Sequence, residues 1–163
     1  MKHWKPLTMI ALTFCAIMPL APAEHHAVAI SKQKIEVAMS EAEVECLAKN
    51  IYHEARGETL TGMKAVADAT MNRLHAGKFG KSVCAVVYAK GQFSWTKKEP
   101  PVRDHVSWVA SQAIARLVLE QSESPLHHAT YYVNRRLKGK FTWMRNMRVV
   151  ALIGHHVFYA PRA

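Results

Sequence analysis

Residues 46–58 read CLAKNIYHEARGE. Leu47, Ile51 and Glu54 are spaced by four and three residues. At 3.6 residues per turn they share one helix face, with Glu54 about 20° from Leu47. Val44, Ala48 and Ala55 extend the same stripe. An apolar helical stripe turns toward a core, so a carboxylate stands where a core residue is expected. Gly57 then ends the helix, because glycine takes the left-handed C′ conformation cheaply, and Glu54 is left in the last turn. A carboxyl at the lip of a core, shielded from water and close to the C-terminal carbonyls, has its pKa raised. A general acid has that requirement.

Upstream, Ser40 and Glu43 form an S-x-x-E capping box, and Glu41, Glu43 and Glu45 place negative charge against the helix start. Downstream, Met63, Val66, Ala67, Thr70 and Leu74 predict a second helix from Thr61 or Gly62 to Leu74. Gly77 and Gly80 bracket the next loop. Ser82 caps a short helix carrying Val83, Val86 and Val87, which brings Cys84 toward the first helix, and Gly91 closes this region. Gln92-Phe93-Ser94-Trp95 follows as an aromatic loop before Pro100 and Pro101. Another helix starts near Asp104, carries Val106, Val109, Ala113 and Leu117 on one face, and stops before Pro125. After Leu126 the texture changes to His127, His128, Tyr131, Tyr132 and Val133. A tract with no acid then runs from Asn134 to Arg148 and holds Arg135, Arg136, Lys138, Lys140, Arg145 and Arg148. The tail from Ile153 to Tyr159 is rich in β-formers and is expected to pair with residues 130–133. The predicted class is mainly α, with a small β element near the C-terminus.

A chain of 163 residues, half of them apolar, suits one domain with a real core. Residues 1–23 read as an export signal, with Lys2 and Lys5 ahead of an apolar run and Ala21-Pro22-Ala23 at the cleavage site. Residues 24–40 are a lead-in, and 41–163 the functional domain. Cleavage removes Cys15 and leaves Cys46 and Cys84 in an oxidising compartment, where a disulfide between them is expected. The alternative is a pair of buried thiols. The expected location is the periplasm or the extracellular wall, with no stable membrane span after signal cleavage and a monomeric state.

The formal charge of +10 calls for an anionic partner. Outside the cytoplasm that means cell-wall polymers or membrane surfaces, not nucleic acid, although Phe141 and Trp143 within the basic tract would also suit single strands. The plain alternative is a solvated basic face with Trp143 in the core. The acids narrow the chemistry by elimination. Glu24 and Glu36 fall in the lead-in, Glu41, Glu43 and Glu45 at a helix start, and Glu120 and Glu123 near an exposed helix end. Asp68 falls on the polar side of its helix and Asp104 reads as a cap, so Glu54 stands out, with Glu58 as the obvious second carboxylate. His53-Glu54 opens like H-E-x-x-H, but position 57 is Gly57 and the zinc signature fails. The His127-His128 pair is read as structural or groove-lining, and no metal or cofactor is assigned. No G-x-S-x-G elbow is present.

These blocks resemble the SleB-type, spore cortex-lytic cell wall hydrolases. The similarity rests on Cys46 to Glu58, Asn72-Arg73, Val83-Cys84 with Val86-Val87-Tyr88, Gln92-Phe93-Ser94-Trp95, and Ile153-Gly154 with His156-Val157-Phe158-Tyr159. The resemblance implies a lysozyme-like, lytic-transglycosylase-like domain that cleaves the glycan strand of peptidoglycan, with Glu54 as general acid. Gln92, Ser94, Trp95, Tyr131 and Tyr132 are expected to form the groove that holds the sugars, the alternative being loop packing, and Glu58 is expected to shape or bind and not to react. A single carboxylate fits a transglycosylase, in which the 6-hydroxyl of muramic acid attacks in place of water. Two other readings stay open: an N-acetylmuramoyl-L-alanine amidase, and a non-catalytic peptidoglycan-binding module. One departure is Arg135-Arg136-Leu137, where relatives often carry a proline and an aromatic residue.

Overall fold

The computed structural model describes residues 41–121 and 124–162. The expected export signal, the lead-in, the Ser40 cap and Glu123 lie outside the described residues. Helix α1 spans residues 41–55, and Gly57 follows it at φ +98°. Leu47, Ala48, Ile51 and Ala55 are essentially inaccessible, so the apolar stripe faces the core as expected. Helix α2, Leu60–His75, begins slightly earlier than expected, because the Thr59 hydroxyl accepts from the Gly62 amide and caps it. Helix α3, Val83–Val87, is capped by Ser82, whose Oγ accepts from the Ala85 amide at 3.1 Å. Cys46 on α1 and Cys84 on α3 form a disulfide with Cα atoms 5.2 Å apart.

Helix α4, His105–Leu119, is capped by Asp104, which accepts from the Ser107 amide. Its inward face differs from the expected one. Val106, Val109 and Leu117 are exposed, with Val106 at 81%, while Ser111, Ile114, Ala115 and Val118 are buried. Small residues at 111 and 115 let α4 lie close against α2, and the Ser111 hydroxyl satisfies itself on the Ser107 carbonyl at 2.7 Å. Asp68 also departs from expectation. It is buried, and Lys64, one turn earlier, holds both its oxygens at 2.9–3.0 Å. Helix α2 is covered on most sides, so its polar side is buried with the rest and needs that cation.

The C-terminal part is a three-stranded antiparallel sheet in the order β1-β3-β2. Strand β1, Tyr131–Asn134, pairs with β3, His156–Pro161, through Tyr131↔Tyr159 and Val133↔Val157, as the sequence led us to expect. Strand β2, Met147–Ile153, was not expected. It forms a hairpin with β3, with an irregularity between Val149 and Ala151. Phe158 from β3 enters the main core with α1, α2 and α4, whereas Met144, Val157 and Tyr159 form a smaller cluster on the other side. Among the described residues, no helix is long and apolar enough to cross a membrane.

Candidate active site

The last turn of α1 presents Glu54 at the edge of the core. Side-chain hydrogen bonds fix the elements around it. The Tyr52 hydroxyl accepts from the Arg103 and Asp104 amides, each at 3.0 Å, tying α1 to the start of α4. At the end of α2, Asn72 Nδ2 donates to the Ala129 carbonyl and Arg73 Nε to the Thr130 carbonyl, at 3.0 and 2.6 Å. These two bonds fix the entry to β1, and Tyr132 two residues later donates its hydroxyl to Glu54 Oε2 at 3.4 Å.

Burial raises the Glu54 pKa above its ordinary value, while the Arg73 cation and the Tyr132 hydroxyl pull it part of the way back. Arg73 is a buried cation, 5% exposed, surrounded by the rings of Phe79, Phe93, Tyr131 and Tyr132 at 5.1–6.0 Å. Burial lowers its own pKa, with Tyr132, Tyr131 and Glu54 acting against that shift. Asn50, one turn before Glu54, is fully buried and donates to Thr70 Oγ1 at 3.0 Å. Neither Asn50 nor Arg73 was singled out as a site residue from sequence. For Asn50 the available signal was a polar residue beside the apolar stripe of Leu47 and Ile51; Arg73, next to Asn72 and near His75, offered none.

Glu54 opens into a cleft of about 500 Å³ shared with Gln92, Phe93, Ser94 and Lys97 on one side and Val133, Leu137 and Phe141 on the other. Gln92 and Ser94 are thus brought to Glu54 as expected, and Tyr132 touches it directly. Trp95 is buried beneath this loop, stacked on His53 with centroids 4.5 Å apart. It supports the cleft from below and does not line it. Tyr131 points to a different hollow, of about 360 Å³, beside Phe79 and His128. Glu58 is engaged elsewhere. Both its oxygens accept from the His155 amide at 3.1 Å and Oε1 meets His155 Nδ1 at 3.0 Å, so it clamps the β2–β3 turn. A Cβ at Gly154 would overlap the same carboxylate.

His127 and His128 are exposed and adopt positive φ, +38° and +64°, in a tight turn before β1. Among the described residues, no three His, Cys, Asp or Glu side chains are grouped to hold a metal ion.

A family model described as Cell Wall Hydrolase matches residues 57–159. The chain belongs to this family. The matched span opens at Gly57, just beyond Glu54. Among similar proteins, the spore cortex-lytic enzyme of Halalkalibacterium halodurans is 28% identical over 127 residues, covering 76% of this chain and 36% of that protein. The enzyme of the same description from Bacillus subtilis is 30% identical over 122 residues, covering 73% of this chain and 38% of its own. The chain therefore spans less than half the length of these relatives. The catalytic domain of the Bacillus cereus SleB protein superposes with a TM-score of 0.58 at 22% identity, covering 73% of this chain and 90% of that domain. The Bacillus anthracis SleB catalytic domain, described as a germination-specific lytic transglycosylase, gives the same score and identity, with 72% and 93% coverage. The hydrolase fold seen here is thus the fold of those two domains.

Proposed function

We propose that the domain cleaves the glycan strand of peptidoglycan, with Glu54 as proton donor. The observation that carries this reading is a partly buried carboxyl with a raised pKa, alone at the head of a cleft, in a member of the cell wall hydrolase family. Glu54 protonates the glycosidic oxygen as the bond breaks. It then holds a carboxylate that accepts a proton from the attacking hydroxyl. Gln92 and Ser94 offer hydrogen bonds to sugar hydroxyls, and Phe93 and Phe141 offer apolar faces.

Hydrolytic glycosidases use two carboxyls across the scissile bond. Among the described residues Glu54 is the only acid lining this cleft, and Glu58 has both oxygens committed to the β2–β3 turn. This favours attack by the 6-hydroxyl of muramic acid, forming an anhydro end, over attack by water. We assign residues 1–23 to an export signal and the working location to the periplasm or outer wall, as a monomer. The Cys46–Cys84 bridge supports an oxidising compartment.

The test is incubation of the purified protein with peptidoglycan, followed by mass spectrometry of the released fragments. Anhydro-muramic ends are expected. Reducing ends would replace transglycosylation by hydrolysis, free stem peptides would mean an amidase, and no release would leave a binding module. Glu54→Gln should lower turnover by at least about 10²-fold while wall binding is retained.

A further inference from the structure

No Asp or Glu occurs after Glu123, whereas Lys and Arg are frequent there. Three of these cations converge. Lys138, Arg148 and Arg162 line a second cleft of about 430 Å³, together with Met144, Val149 and Tyr159. Among the described residues none of the three cations pairs with a carboxylate. Arg148 Nη2 donates to the His127 carbonyl at 3.2 Å, and Arg162 Nε to the Met147 carbonyl at 3.3 Å. Each guanidinium is therefore steadied by one N–H while others stay free for a ligand. Residues 137–141 contribute to both clefts: Leu137 and Phe141 line the one at Glu54, and Lys138 and Gly139 line the basic one.

We propose that the Lys138–Arg148–Arg162 cleft is a subsite for the carboxylates of a peptide stem carried by the glycan held beside Glu54. This rests on the peptidoglycan reading above. Planar guanidinium forks match carboxylates bidentately, and the apolar lining suits the methyl and methylene groups of short aliphatic residues. The position decides for a stem carboxylate over a free phosphate. A polymer lying in the Glu54 cleft carries its own carboxylates across residues 137–141, so both ends of one substrate are met at once.

The test compares the parent, the K138Q/R148Q/R162Q variant and the charge-retaining K138R/R148K/R162K variant. Binding to intact peptidoglycan is measured by pelleting, alongside the same material with its stem carboxylates converted to neutral amides. The Gln variant is expected to bind intact wall about tenfold more weakly than the parent, with kcat changed by less than about twofold. On amidated wall the parent should fall to the variant's level. The charge-retaining variant, which keeps the three cations but gives up the guanidinium forks of Arg148 and Arg162, should bind intact wall more tightly than the Gln variant and less tightly than the parent. Three results would overturn the proposal: equal loss by the Gln variant on both walls, undiminished binding of the parent to amidated wall, or a loss by the charge-retaining variant as large as that of the Gln variant. So would a loss seen only on anionic phospholipid vesicles, which would assign the cleft to phosphate. Pelleting needs no turnover, so a parent that binds stems but releases no fragments refutes the enzymatic reading while leaving the stem subsite decided.

Discussion

Glu54 and Tyr132 form a coupled pair, and the direction of that coupling is testable. The Tyr132 hydroxyl stabilises the charged carboxylate, opposing the burial that raises the Glu54 pKa. In Tyr132→Phe the opposing contact is gone, so the pKa rises further and Glu54 stays protonated to higher pH. The alkaline limb of the kcat/KM profile should move to higher pH; a limb that stays put or moves down would show that the 3.4 Å contact is not felt by the acid. Glu54 was legible in the sequence because helix periodicity marks a charge on an apolar stripe. Arg73 was not, because its burial comes from rings contributed by distant residues: Phe79, Phe93, Tyr131 and Tyr132. Nor could spacing along the chain separate Tyr132, which meets Glu54, from Tyr131, whose strand neighbour relation turns it to another hollow.

Elements with strong local punctuation were read correctly. Gly57 after α1, Ser82 before α3 and Asp104 before α4 all act as the sequence implied. Faces were harder. Helix α4 carries apolar residues on two stripes, and periodicity favours the larger Val106, Val109 and Leu117 over Ser111, Ile114, Ala115 and Val118. The inward stripe is selected by small size, since α4 packs closely on α2. Ala115→Leu should therefore cost about 1–3 kcal/mol through overpacking, and Val106→Lys less than about 0.5 kcal/mol, both read from urea unfolding. The reverse order would restore the stripe first expected. Strand β2 escaped notice because Arg145, Arg148 and the tract before them masked the β-prone run Val149 to Ile153, whose partner β3 lies after the turn at Gly154.

At the scale of the whole molecule, two ties hold the site-bearing helix. Cys46–Cys84 joins α1 to α3, and Glu58, just beyond Glu54, holds the β2–β3 turn against the helices. The bridge spans a sequence separation of 38, for which the chain-entropy model gives about 4 kcal/mol. Cys46→Ser/Cys84→Ser should lose stability of this order in urea unfolding, and the parent should match it once reduced. A parent insensitive to reductant would mean the bridge adds nothing. The bridge was legible because only Cys46 and Cys84 remain once the expected export signal is set aside. The division of the basic C-terminal region into two clefts was not, because it depends on which of residues 137–141 line each one.

The outward stripe of α4 has a colloidal consequence. With Val106 81%, Val109 51% and Leu117 49% exposed, the molecule carries a sticky band on a strongly basic chain, of formal charge +10 over its full length. Mutual repulsion keeps such particles dispersed in dilute buffer, and dissolved ions shorten its reach to about 8 Å at physiological strength. Concentrated salt, the usual remedy for a basic protein that clings to anionic debris, would here thin the shield and bring the bands together. Dilute buffer is therefore the condition in which this chain stays dispersed.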